Sequence, residues 1–238
     1  MAGLVAAAIP LLNDLLNRHV LSVRVAGKFG HLSRLELETV VRERLTSDGF
    51  FAVDVESVRQ AALSLPWVRD VSVRRVWPDS VHIDVEERVA MARWNGDALM
   101  EGDASIFKPR GGADAYVLPK LSGPSGQHVR VLAQFKHLST GLRAIGGGVV
   151  GLSLSERGQW EVNFASGMTI VPSTPFDVAA LMQFSRMLPS ILGDDLPRVA
   201  RIDLRYANGF AVRWHEGKEV AIDAVGNDQG TLARGGKG

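Results

Sequence analysis

The chain has 238 residues, enough for one large or two small domains, with 46% hydrophobic and 22% charged residues. Lys plus Arg number 27 against 26 for Asp plus Glu, a formal net charge of +1, which argues against wide attraction to phosphate backbones and so against nucleic acid as partner. The absence of cysteine excludes a disulfide framework, a thiolate metal site and a Cys nucleophile.

The first twelve residues, MAGLVAAAIPLL, carry no charge. A membrane-spanning helix needs about 20 apolar residues, and a secretory signal needs basic residues ahead of its apolar run. The segment reads either as a loosely packed amphipathic terminus or as the trailing end of a membrane anchor, and residues 1–19 are assigned to an anchor or linker. From Leu21, Val23 and Val25 alternate in a strand. Ser33 and Glu36 stand at capping-box spacing before a helical stripe of Leu37, Val40, Val41 and Leu45, closed by Gly49. Asp54 caps a second helix with Val55, Val58, Ala62 and Leu65 on one side, stopped by Pro66.

Two strands follow. Val71, Val73 and Trp77 share one face of the first, which predicts a buried Trp77. Pro78-Asp79-Ser80 turns the chain, and Val81, Ile83 and Val85 form the apolar face of the next strand. The order β-α-α-β-β predicts a small sheet backed by two helices over residues 20–88. Glu86 and Glu87 are adjacent on a strand and point to opposite faces, so they cannot act as a paired acid and base across one bond.

From residue 89 to 215 short strands dominate, making a mostly β domain with two helices, so the fold class is α+β. Turns fall at Asn95-Gly96, Gly102-Asp103, Arg157-Gly158 and Ser166-Gly167. Residues 119–126 read as a rigid loop. Val131, Phe135, Leu138, Leu142 and Ile145 mark a helix ended by three glycines, which lack the Lys-Ser/Thr of a phosphate loop. Phe176, Ala180, Phe184, Met187 and Ile191 mark a second helix containing Pro189. Ile202, Leu204 and Tyr206 alternate on a strand, Ala207-Asn208-Gly209 forms a hairpin loop with Gly209 in a left-handed position, and Phe210, Val212 and Trp214 return. Residues 216–238 are polar and glycine-rich and are expected to be disordered.

No catalytic, cofactor-binding or metal-binding set emerges. The six histidines show no His-x-x-x-His spacing, and no Gly-x-Ser-x-Gly elbow is present. Asp194-Asp195 reads as a solvated turn, and Arg201, Asp203 and Arg205 alternate on a solvent-facing strand surface.

The stretch LPWVRDVSVRRVWPDSVHIDVEE, residues 65–87, closely resembles the POTRA domain of the FtsQ/DivIB family of bacterial cell-division proteins. The resemblance lies in Pro66-Trp67-Val68 and in Arg75-Val76-Trp77-Pro78-Asp79. It continues through Ala92-Arg93-Trp94-Asn95, the Leu118-Pro119…Gly126 pattern, Trp160 and DLRYANGFAVRW at 203–214. Ala90 stands where the family has proline, and the family's cytoplasmic tail and most of its membrane span have no counterpart in residues 1–19. The resemblance implies a single-pass inner-membrane protein whose bulk lies in the periplasm at the division septum. It implies a non-enzymatic scaffold, with no cofactor and no small-molecule substrate, that binds FtsB and FtsL and links early and late division proteins. FtsB is expected to add a strand to the last strand of the β domain, which carries Arg205, Tyr206, Gly209 and Trp214 over as partner-binding residues. Asn208, Phe210 and Val212 join them from the alternation and edge position of that hairpin, although Phe210 and Val212 fit a core role equally well. Glu87 is a candidate at the end of the POTRA domain. The alternative reading is a POTRA-containing outer-membrane assembly or secretion factor.

Overall fold

A computed structural model describes residues 22–45, 53–143, 145–215 and the strand 219–223. The first twenty-one residues, with Leu21, and the helix stop at Gly49 lie outside these. The chain divides into two compact units with the boundary between Val89 and Ala90.

The first unit runs β1 (Ser22–Ala26), α1 (Arg34–Leu45), α2 (Val55–Leu63), β2 (Val68–Val76) and β3 (Ser80–Glu87). The sheet order is β1-β3-β2, with β1 parallel and β2 antiparallel to the central β3. Ser33 Oγ accepts from the Glu36 N–H at the start of α1, and the Asp54 carboxylate accepts from the Glu56 N–H at the start of α2. Leu37 and Val41 from α1, Val58 and Ala62 from α2, and Val71, Val81, Ile83 and Val85 from the sheet are all buried. This is the core that the alternation and the helical stripes predict.

One expectation fails here, and one strand is more open than its neighbours. Trp77 is 69% exposed, because β2 ends at Val76 and Trp77 sits in the turn, beyond the alternation that would have aimed it inward. Val23 is 42% exposed, because β1 is an edge strand whose face is only partly covered.

The second unit is built on a ten-stranded sheet of order β13-β12-β11-β10-β9-β8-β7-β4-β5-β6. Its elements are β4 (Ala90–Trp94), β5 (Ala98–Glu101), β6 (Ile106–Phe107), β7 (Lys120–Ser122), α3 (His128–Gly141), β8 (Val149–Leu154), β9 (Trp160–Phe164) and β10 (Thr169–Val171). They continue with α4 (Val178–Leu192), a 3-10 turn (Gly193–Arg198), β11 (Val199–Asp203), β12 (Gly209–Trp214) and β13 (Glu219–Asp223). Asn95 (φ 48°) and Gly96 (φ 89°) both take left-handed conformations, the geometry of a tight hairpin turn, between β4 and β5.

Helices α3 and α4 are crossovers between parallel neighbours, β7 to β8 and β10 to β11. Both connections step the same way along the sheet, and right-handed crossovers therefore put both helices on one face. On β9 the consequence is clean: Trp160, Val162 and Phe164 are buried, while Glu161 and Asn163 on the other face are partly exposed.

The loop expected at 119–126 contains β7. A three-residue strand bounded by Pro119 and Gly123 is too short to show alternation. Helix α3 stops at Gly141, before Leu142 and Ile145, though both remain buried. The inward face of α4 is Leu181, Ser185, Leu188 and Leu192, one residue round from the expected stripe. Most of this helix is apolar, so periodicity alone could not choose between adjacent faces.

Candidate partner-binding site

Strand β11 ends at Asp203, and residues 204–208 turn the chain into β12. Gly209 opens β12 opposite Asp223, so it does not fill the left-handed loop position expected of it. Tyr206 projects from this hairpin at 60% exposure, and Arg205 and Asn208 are exposed with it. The Arg205 guanidinium donates to Asp203 through Nε at 2.8 Å and through a second, shorter contact, and to Gln159 Oε1 at 3.1 Å. Hydrogen bonding from Arg205 holds the Asp203 carboxyl below the usual carboxylate range, and Asp203 raises Arg205 in return. Arg205 is thus held, charged, on the surface beside Tyr206.

Next to the hairpin lies a groove of about 300 Å3. Phe184, Met187 and Ile191 of α4 form one wall, and Leu204, Tyr206 and Phe210 form the other. Met187 is 52% exposed, although it belongs to the stripe that the sequence assigns to the core. The expected core stripe of α4 is therefore largely a groove wall. Phe184 meets Phe210 edge to face at 5.1 Å at the groove floor.

Of the predicted partner-binding residues, Arg205, Tyr206, Asn208, Gly209 and Phe210 come together here. Val212 does not: it is fully buried in the core beneath the helices, so its side chain is closed to a partner. Phe210 is 7% exposed, chiefly a core residue that also floors the groove. Trp214 is half-buried and packs against the same core. Sequence reasoning missed the α4 wall, and the available signal was its apolar breadth, wider than one buried face requires.

A further correction concerns the edge. Strand β12 was expected to end the sheet, with residues 216–238 disordered behind it. Instead β13 pairs antiparallel with β12, from Gly209 opposite Asp223 to Arg213 opposite Glu219. Its alternating run, Glu219-Val-Ala-Ile-Asp223, was hidden by the glycines and polar residues around it.

Glu87 is accounted for within the first unit. Its carboxylate accepts from the backbone N–H groups of Gly30 and His31 at 2.6 Å each and of Leu32 at 3.1 Å. The His31 ring stacks on Trp67 at 4.2 Å. Glu87 thus fastens the end of β3 to the loop ahead of α1.

Comparison with known proteins agrees with this architecture. Residues 18–88 match the POTRA domain, FtsQ-type, and residues 92–205 match the cell division protein FtsQ/DivIB, C-terminal family. A cell division protein FtsQ from Coxiella burnetii is 34% identical over 192 residues, 81% of this chain and 79% of that relative. FtsQ proteins of Xanthomonas campestris (34% over 202 residues, 84% and 72%) and Allochromatium vinosum (31% over 202 residues, 85% and 80%) are similarly related. The chain belongs to the FtsQ/DivIB family of cell-division proteins.

Several FtsQ-like motif residues are structural. Asn95 donates through Nδ2 to the Gly123 carbonyl and accepts from the Gly123 N–H, joining Ala92-Arg93-Trp94-Asn95 to the Gly-Pro loop. A side chain at Gly123 would press on Trp94 and Val131, each 3.2 Å from the Cβ position. The FtsQ resemblance through these motifs therefore reports how β4 is locked beside β7, whereas the 203–214 motif combines exposed Arg205, Tyr206 and Asn208 with buried Phe210 and Val212. Among the described residues no cluster of His, Asp or Glu is suited to hold a metal ion.

Proposed function

We propose that this chain is a non-catalytic scaffold of the division machinery. It binds FtsB and FtsL at the β11–β12 end of its second unit and links early to late division proteins there. In this reading the bulk of the chain is periplasmic at the septum, tethered to the inner membrane by a single pass. No described helix is long and apolar enough to cross a membrane, so the tether rests on the family resemblance and on the uncharged run Met1–Leu12.

The observation that carries the partner assignment is the groove. Exposed Tyr206, Met187 and Ile191 surround a depression floored by Phe210. An apolar pocket with aromatic walls is the usual make-up of a protein-binding centre. Strand addition at this end of the sheet supplies backbone hydrogen bonds, and the groove takes a side chain from the added segment.

The test is calorimetric titration of the full chain with the periplasmic segment of FtsB. Tyr206→Ala is expected to weaken binding about tenfold to thirtyfold, as loss of an interface aromatic does, with the unfolding midpoint unchanged. Trp214→Ala is a poorer probe because Trp214 also packs on the core. Parent-like affinity in both Tyr206→Ala and Arg205→Ala overturns the assignment.

A further inference from the structure

Strand addition at β12 meets an obstacle in the structure: the chain's own β13 already occupies that edge. Five register pairs, Gly209–Asp223 through Arg213–Glu219, join the two strands. We infer that β13 is an exchangeable occupant of the β12 edge, and that the incoming strand of the partner displaces it. This rests on the scaffold reading above and adds a built-in competitor to it.

Three features favour exchange over addition outside β13. First, the groove and the Arg205–Tyr206 hairpin border β12 itself, with Gly209 and Phe210 lining the groove. A strand laid outside β13 would be displaced by one more strand spacing, about 4.8 Å, from those residues. Second, β13 is last in the sheet order and hydrogen-bonds to β12 alone. At this end of the sheet every described strand inside β13 is paired on both sides, so β13 can leave by breaking a single ladder. Third, it is five residues long and follows β12 after only residues 215–218. Its hold on the sheet is limited to the five register pairs it makes with β12.

The arrangement has a defined consequence. While β13 is in place the edge is closed, so the apparent partner affinity is reduced by the fraction of molecules with the edge open. In return, the closed state covers a row of backbone donors and acceptors that would otherwise template aggregation.

The chain lacks cysteine, which makes the test clean. Ala211 and Ala221 are register partners across β12 and β13. Directly opposed antiparallel residues lie about 4.5–5.5 Å apart at Cα, inside the range a disulfide spans. The full chain carrying Ala211→Cys and Ala221→Cys is titrated with the FtsB periplasmic segment after diamide oxidation and again after reduction. The expected result is at least a tenfold loss of affinity in the oxidised form, recovered on reduction. Equal affinity in the two forms overturns exchange while leaving the scaffold reading intact. Failure of the parent chain to bind the segment at all overturns both. A second variant does not depend on the cross-link. Val220→Pro with Ala221→Pro places proline at two adjacent positions, whose N–H groups point to opposite sides, so one ladder donor is lost in either register. Exchange predicts tighter binding, on the order of tenfold, in this variant. Weaker binding shows that β13 belongs to the receptor surface and overturns the proposal.

Discussion

Glu87 and Asp203 are each the last residue of a strand, and both carboxylates are mostly covered, with side chains 9% and 13% exposed. They differ in what they grip. Glu87 holds three backbone N–H groups 55 to 57 residues away in sequence, whereas Asp203 holds the guanidinium and the backbone N–H of Arg205, two residues on. Removing the first unties a loop from a sheet. Removing the second frees the head of a half-exposed side chain and one neighbouring backbone N–H. Coverage of a charged group therefore says less about its role than the sequence distance its hydrogen bonds close.

The largest effect that tests this contrast is at Trp67, which is buried and carries the His31 ring of the loop that Glu87 grips. Trp67→Ala is expected to destabilise the first unit by about 3–5 kcal/mol, measured by chemical denaturation. Trp77→Ala, ten residues on but exposed, should stay within about 0.5 kcal/mol of the parent. Similar losses for the two tryptophans would break the distinction between the clasped end of the unit and its open turn.

Glu87→Ala comes next, at about 2 kcal/mol, because hydrogen bonds to a carboxylate exceed neutral ones while water can reach Gly30 and His31 in compensation. Its local signature is faster amide hydrogen exchange at residues 30–32. Unchanged exchange there would show that the loop holds its place without the carboxylate.

Asp203→Asn should be smallest, below about 1 kcal/mol at neutral pH, since the Arg205 partner is solvent-screened. The folded carboxyl titrates below its unfolded value, so its contribution is complete above about pH 4 and is lost as pH falls through the folded value. The gap between parent and variant should therefore close on acidification. A gap that widens in acid would mean that the folded carboxyl titrates above its unfolded value, against the lowering expected from Arg205.

The first unit was legible where polar and apolar residues alternate without interruption. Val81, Ile83 and Val85 were placed correctly, and so was the Asp54 cap. Trp77 was misplaced because alternation was carried one step past the strand's end. In the second unit the hairpin was legible from the alternation on either side of Ala207-Asn208-Gly209, and the resemblance supplied its expected partner-binding role, but the groove beside it was not foreseen. Helix α4 offers apolar residues on two adjacent faces, and only the position of the sheet determines which of them, Leu188 or Met187, goes inside. Strands β7 and β13 were missed for opposite reasons. One is three residues between loop-forming glycine and proline, and the other is a short alternating run within a polar tail. The grip of Glu87 on Gly30, His31 and Leu32 was beyond sequence, because no spacing rule connects positions so far apart.

The parallel pairing of β1 with β3 has a mechanical consequence. The chain enters the first unit at Ser22 and leaves it at Glu87, at opposite ends of two adjacent strands that run the same way. Tension applied along the chain pulls β1 back toward its start and β3 onward past its end. The pairs from Ser22–Ser80 to Ala26–Asp84 are then loaded in shear, all at once, instead of peeling one after another. The Glu87 clasp lies at the end where that load leaves the unit and ties it to the loop that follows β1. The unit is thus wired as a strain-bearing link, stiff along the line joining whatever holds its two ends.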